Sequence, residues 1–143
     1  MGHLHTGPGQ HDLTVSAFIV RESDGLPVLL VHRHKSLGLL LQPGGHVELD
    51  EHPWTALLRE IVEETGYDLT QLMVLQPRLR LNGPVGRATL HPQPVSVLTH
   101  DIDRDGRHRH TDLGFALVAD CPPSGRPGEE ESDELRWVTA DDL

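Results

Sequence analysis

The chain has 143 residues, which suits one ordinary domain and leaves too little for two. Asp and Glu total 22 against 12 Lys and Arg, a formal charge of −10, which argues against general nucleic-acid binding and against an anionic membrane surface. Hydrophobic residues make up 36% and aromatics only 3%, so the core is expected to consist of Leu and Val.

Residues 1–12, rich in Gly and His, read as a loose arm before a single domain over 13–143. Alternation over 13–20 predicts a strand with Val15, Ala17 and Ile19 on one face and Thr14, Ser16 and Phe18 on the other. Asp24-Gly25 is a hairpin signal, and 28–32 supplies the returning strand. The short apolar piece 37–41 leads into Pro43-Gly44-Gly45, where a turn is expected. Trp54, Leu57, Leu58, Ile61 and Val62 then recur at helical spacing and form one apolar stripe. Pro53 suits the first helical position and Gly66 a left-handed stop, so the helix should run from about 53 to 65. Strands are expected over 74–81, 95–100, 113–119 and 135–138, with a turn at Asp105-Gly106, a loop over 122–128 and the start of a last helix at 141–143. The pattern is a mixed sheet with one well-marked helix, in the α+β or α/β class.

The helix face opposite the apolar stripe carries Glu60, Glu63 and Glu64 at i, i+3 and i+4, with roughly 6 Å between neighbouring Cβ atoms. Such carboxylates raise one another's pKa, and in the C-terminal half of a helix the macrodipole opposes them. The arrangement is either fully solvated or used to hold a cation. Carboxylate and carbonyl oxygens are hard ligands and favour Mg²⁺ or Mn²⁺ over zinc.

Gly45, five residues, Glu51, seven residues, then Arg59-Glu60-Ile61-Val62-Glu63-Glu64-Thr65-Gly66-Tyr67 resembles the signature of the Nudix hydrolase family. Every fixed position is met, and Tyr67 stands where an aliphatic residue is usual. The resemblance implies an α/β/α sandwich and hydrolysis, with Mg²⁺ or Mn²⁺, of a nucleoside diphosphate linked to another group. By position it implies metal-binding and catalytic roles for Glu60, Glu63 and Glu64. It also implies a further ligand in the backbone carbonyl of Gly44, an orienting role for Arg59 and a supporting role for Glu51. Either Glu63 or Glu60 would position or deprotonate the attacking water. Gly44 and Gly45 let the loop approach metal and phosphates closely. A further acid often comes from outside the helix in related enzymes, and Glu131, six residues before Trp137, stands where it is often found.

The expected partner is a small nucleotide: a nucleoside triphosphate, a nucleotide sugar or a dinucleoside polyphosphate. The acidic charge makes capped RNA the least attractive substrate. The alternative is a catalytically silent nucleotide-binding or regulatory module on the same fold. It is disfavoured because Arg59, Glu60, Glu63 and Glu64 are all present. An isoprenoid diphosphate isomerase would need a further Cys or Glu pair, which the lone Cys121 does not supply.

Weaker signals surround the motif. His46, directly after Gly45, is a candidate substrate contact, as are Arg33, Arg78 and Arg80. The last two would share one face of the 74–81 strand. His32 with His34, and His108 with His110, alternate in a way that invites zinc, although such pairs without cysteine are ordinarily strand surface. The single cysteine points to a reducing compartment, and with no secretory pattern over 1–12 and no membrane-length apolar run, a cytoplasmic location is expected. Relatives of this kind commonly pair as homodimers. Their fold commonly continues into a last helix beyond the point where this chain stops.

Overall fold

Two alternating strands open the sheet. The computed structural model describes residues 6–143, leaving aside the side chain of Asp133. Strand β1, His11–Ser23, and β2, Leu26–His34, form an antiparallel hairpin around Asp24 and Gly25, whose φ angles of 52° and 78° suit a tight hairpin turn. β1 begins two residues earlier than its alternation predicts, so His11 and Asp12 belong to the sheet rather than to the arm. The part of the arm over 1–5 lies outside the described residues.

The short β3, Leu40–Leu41, pairs with β2. Where a turn was expected, Gly44–His46 forms β4, antiparallel to Thr14–Ser16 of β1. The glycines explain the difference. A Cβ on Gly44 would lie 2.1 Å from the Val15 carbonyl oxygen, so only a bare backbone lies this close to β1.

Helix α1, Pro53–Thr65, has the bounds its sequence predicts. His52 caps it by accepting from the Thr55 N–H, Pro53 enters the first turn, and Gly66 ends it at φ 73° with its N–H donated to Val62. After a 3₁₀ turn at Leu69–Gln71 come β5, Leu72–Val74; β6, Ser96–Asp101; β7, Arg109–Ala119; and β8, Ser132–Val138. The strand expected over 74–81 ends at Val74. Beyond it Leu79 and Leu81 are 93% and 76% exposed, and Arg78 and Arg80 lie in an exposed bend with no ladder partner. Leu and Arg alternate there like a strand, but the segment has no second surface on which to bury its leucines. At the other end, the helix expected over 141–143 is a 3₁₀ turn, Ala140–Asp142.

The strands form one mixed sheet in the order β3-β2-β1-β7-β5, with β4 beside β1, β6 beside β7 and β8 beside β2. β1 and β7 run parallel from His11↔Arg109 to Val20↔Val118. The odd-numbered face of β1, Val15, Ala17 and Ile19, meets Ala56, Leu57 and Ile61 of α1 together with Leu30, Phe115 and Leu117. Burying Leu57 and Ile61 contributes roughly 1.5–3 kcal/mol each. Leu and Val supply half of the described buried hydrophobic residues, as expected, but the two largest fully buried side chains are Tyr67 and Phe115. Few aromatics does not mean none at the centre. Among the described residues α1 is the only α-helix, so a second helical layer is not among them. None of their helices is long and apolar enough to cross a membrane.

The buried arc of α1 differs from its apolar stripe. Val62 is 44% exposed, whereas Glu60 and Glu64 are only 8% and 2% exposed. Glu60 and Glu64 are therefore not part of a solvated face opposite the core; they lie at its edge, beneath β4, while Glu63 stays exposed.

Candidate active site

Arg59 organises the acids of α1. Its Nε donates to Glu51 Oε1 at 2.7 Å and its Nη2 to Glu51 Oε2 at 3.0 Å. Nη1 donates to Glu60 Oε1 at 2.8 Å and to Glu63 Oε2 at 3.2 Å, and Nη2 also donates to the His46 carbonyl at 3.2 Å. These contacts use all of the N–H donors a guanidinium carries. The bond from Arg59 holds Glu51 below the usual carboxylate range, and the same bond holds Arg59 firmly charged. Arg59 thus locks the loop–helix junction and sets the directions of Glu60 and Glu63.

Glu64 accepts a hydrogen bond from the Gly44 N–H at 2.8 Å, and its Oε2 lies 3.4 Å from His32 Nε2. Burial pushes its carboxyl up to about 8; the Gly44 bond opposes the rise, and Glu60, Glu131 and Glu63 add to it. Burial likewise raises Glu60, against the pull of Arg59 and with further pushes from Glu63 and Glu131. His32, 1% exposed, is pushed down to about 4 by burial and then by His34. At neutral pH the acid–imidazole pair is therefore uncharged as a whole, with one proton held on it.

Gly45 completes the cradle. A Cβ at this position would lie 2.2 Å from Glu60 Oε1, so the missing side chain is what lets the carboxylate sit against β4. Carboxylate oxygens such as those of Glu60, Glu63 and Glu64 are the donor type a hard divalent cation takes, and a cation held beside them would relieve the charge that raises Glu60 and Glu64. The contact made by Gly44 within the structure is through its N–H.

Glu131 lies outside the helix, in a loop pinned to the end of α1. Gly125 N–H donates to the Gly66 carbonyl at 2.9 Å and Gly128 N–H to the Glu63 carbonyl at 2.7 Å. The influence of Glu131 on both Glu60 and Glu64 puts its charge beside the same space.

The cations named from the sequence lie elsewhere. Arg33 Nη1 donates to the Gly38 carbonyl at 2.9 Å and its Nε lies 3.7 Å from Glu134. Arg80 donates to the Pro77 carbonyl, and it lines an open cavity of about 940 Å³ with Asn82, His91 and Gln93. Neither is joined to the carboxylates by a hydrogen bond or ion pair. The His46 carbonyl meets Arg59, but its ring turns to the other side of β4, 3.6 Å from Asp12. Tyr67 is a packing residue: it is 1% exposed, and its hydroxyl donates to the Cys121 carbonyl at 2.7 Å.

Sequence reasoning missed His32 as the neighbour of Glu64. Its alternation with His34 suggested a strand-surface pair, and only the placement of β2 under α1 reveals the contact. The His32 and His34 rings lie 5.8 Å apart, centre to centre.

Comparison with known proteins agrees with this geometry. The family model for the NUDIX domain matches residues 10–143. A MutT-like protein of Streptomyces ambofaciens is 33% identical over 141 residues, covering 96% of this chain and 70% of its own length. An m7GpppN-mRNA hydrolase, NUDT17, of Danio rerio is 42% identical over 134 residues, 89% of this chain but 42% of its own length. A solved NUDIX-family hydrolase from Clostridium perfringens superposes with a TM-score of 0.68 at 26% identity, covering 92% of this chain and 83% of that one. The chain belongs to the Nudix hydrolase family.

Proposed function

We propose that this chain hydrolyses the diphosphate linkage of a small nucleoside diphosphate derivative, with Mg²⁺ or Mn²⁺ held at the carboxylates of α1. The observation that carries the reading is the pair of buried acids, Glu60 and Glu64, gathered under a glycine loop beside the fully engaged Arg59. Glu60 and Glu64 would hold the metal together with the Gly44 carbonyl and, from the facing loop, Glu131. The bound cation supplies neutralisation of diphosphate charge and a more acidic water. Glu63, whose side chain is 46% exposed and directed by Arg59, would accept the proton of the attacking water, with Glu60 the alternative base. Glu51 keeps Arg59 in place.

The substrate is proposed to be a nucleoside triphosphate, a nucleotide sugar or a dinucleoside polyphosphate. A net charge of −10 disfavours a long polyanion. The zebrafish relative named as an mRNA-cap hydrolase makes capped RNA the control substrate to include. A single domain over 13–143 and a cytoplasmic location, consistent with the lone Cys121, complete the proposal.

The test is release of phosphate and pyrophosphate from a panel of these compounds with Mg²⁺, with Mn²⁺ and with chelator. Metal-dependent turnover that is lost in Glu63→Gln and Glu64→Gln is the expected result. Retained nucleotide and metal binding without turnover would favour the silent module. Absence of metal binding would overturn the assignment.

A further inference from the structure

The three residues of β4 separate two environments. Gly45 opens toward α1 and Glu60, whereas the His46 ring points to the other face of the sheet. On that face the sheet register collects imidazoles. Asp12 of β1 pairs with His110 of β7, His110 pairs with His100 of β6, and His46 sits opposite Thr14, two residues from Asp12 on the same face. His108 lies two residues before His110 at the mouth of the β6–β7 connection.

The nitrogens and the carboxylate converge. Asp12 Oδ2 lies 3.3 Å from His108 Nε2 and 3.6 Å from His46 Nε2, and His108 Nε2 lies 3.0 Å from His110 Nε2. One ligand atom from each of the four residues lies within 4.8 Å of all the others. Four ligands placed about 2.05 Å from a tetrahedral zinc ion are separated by about 3.3 Å, and the separations of 3.0, 3.3 and 3.6 Å bracket that tetrahedral edge. Asp12, 6% exposed, also accepts a 2.6 Å hydrogen bond from Thr6 Oγ1, the kind of outer contact that orients a metal-bound carboxylate. The His108 and His46 side chains are 18% and 23% exposed and leave a route from solvent.

The geometry points to a second metal centre, in which Asp12, His46, His108 and His110 bind one zinc-class transition-metal ion. Three imidazoles and one carboxylate are borderline ligands that select Zn²⁺ or Co²⁺ over Mg²⁺. Four protein ligands close the tetrahedron, so the centre is structural rather than catalytic. It joins the start of β1, the β6–β7 connection and β4, the strand that also carries the Gly44–Gly45 loop. The centre shares no ligand side chain with the carboxylate site, although the His46 carbonyl accepts from Arg59, and it does not depend on the proposed hydrolysis.

The experiment is Co²⁺ titration of the metal-stripped full chain, followed by visible absorption and then displacement by Zn²⁺. His3 and His5 are replaced by alanine in every sample so that the start of the chain adds no imidazole. The intense visible bands of tetrahedral coordination are expected to saturate at one Co²⁺ per chain and to be unchanged in Glu64→Gln, any Co²⁺ at the α1 carboxylates absorbing only weakly. Affinity should fall at least 100-fold in His110→Ala and in His108→Gln, and about 10-fold in Thr6→Val. His108→Gln, at a partly exposed position, carries the test if His110→Ala does not fold. Only weak octahedral absorption, affinity unchanged in His108→Gln, or loss of the tetrahedral bands in Glu64→Gln would overturn the proposal.

Discussion

Replacing Gly45 by alanine tests whether the bare backbone of β4 is what positions Glu60. The φ of Gly45 is not in the left-handed region, so alanine meets no backbone strain there. Its Cβ would instead lie 2.2 Å from Glu60 Oε1, and ordinary contact begins at 3.4 Å, so the carboxylate must retreat by 3.4 − 2.2 = 1.2 Å. Glu60 is the far end of a flexible side chain, so the fold should survive with a melting temperature within a few degrees of the parent. The 2.8 Å bond from Arg59 would be lengthened or lost. A displacement of about 1 Å in a catalytic constellation costs on the order of 100-fold in rate, about 2.7 kcal/mol of transition-state stabilisation. Weakened Mn²⁺ binding should accompany it, read by electron paramagnetic resonance of free Mn²⁺, which needs no knowledge of the substrate. Gly44→Ala is the contrasting variant. Its Cβ would meet backbone, the Val15 carbonyl at 2.1 Å, and it should cost stability as well as activity. Parental Mn²⁺ affinity and kcat in Gly45→Ala would refute the reasoning.

Titration of Glu64 gives a signed pH dependence. Its folded pKa of about 8 stands above the ordinary 4.5, so its contribution to metal-free stability is fully present below pH 4.5 and is lost as pH rises through about 8. His32, lowered from 6.5 to about 4, is neutral in the fold but half protonated at pH 6.5 in the unfolded chain, so it opposes the Glu64 loss by about 0.4 kcal/mol as pH rises from 6.5 to 8. Between pH 6.5 and 8 the net loss is about 1.2 kcal/mol; melting in chelator should drop by a few degrees over that interval, and an equal drop in Glu64→Gln would contradict the assignment. Tyr67→Phe removes the 2.7 Å bond to the Cys121 carbonyl and should cost about 1 kcal/mol by urea unfolding, with kcat unaltered. Gly66→Ala forces a side chain into φ 73° and brings its Cβ within 2.5 Å of the Gly125 and Arg126 backbone. It should destabilise by at least about 2 kcal/mol and open the 125–131 loop to proteolysis; parental melting and protease resistance would count against that packing.

Local chemistry made much of the fold readable. Pro53 and Gly66 bracket α1, and Asp24-Gly25 announces the first hairpin, because those signals act over a few residues. The motif acids were readable for the same reason. Their burial was not, since it depends on β4 being held over Glu60 and Glu64 by its pairing with β1, near the start of the chain. That approach turned the buried arc of α1 away from Val62, which the apolar stripe had included. Arg78 and Arg80 show the opposite failure: a strand-like pattern predicts a strand only if a neighbour exists to pair with it. The Asp12, His46, His108 and His110 cluster draws on three strands and a connection, so only its His108–His110 fragment was visible as a sequence pattern.

The parallel pairing of β1 with β7 has a kinetic consequence. Thr14 and Asp112, joined across these strands, are 98 residues apart, and ten residue pairs of the central ladder share that separation. Closing so long a loop is entropically costly before any ladder contact rewards it, which places the chain among slow, topologically non-local folders. During synthesis β1 cannot acquire its parallel neighbour until most of the chain has been made. The β1–β2 hairpin must meanwhile persist without β7 beside β1 and without β8 beside β2, and these open edges expose it to association with other chains.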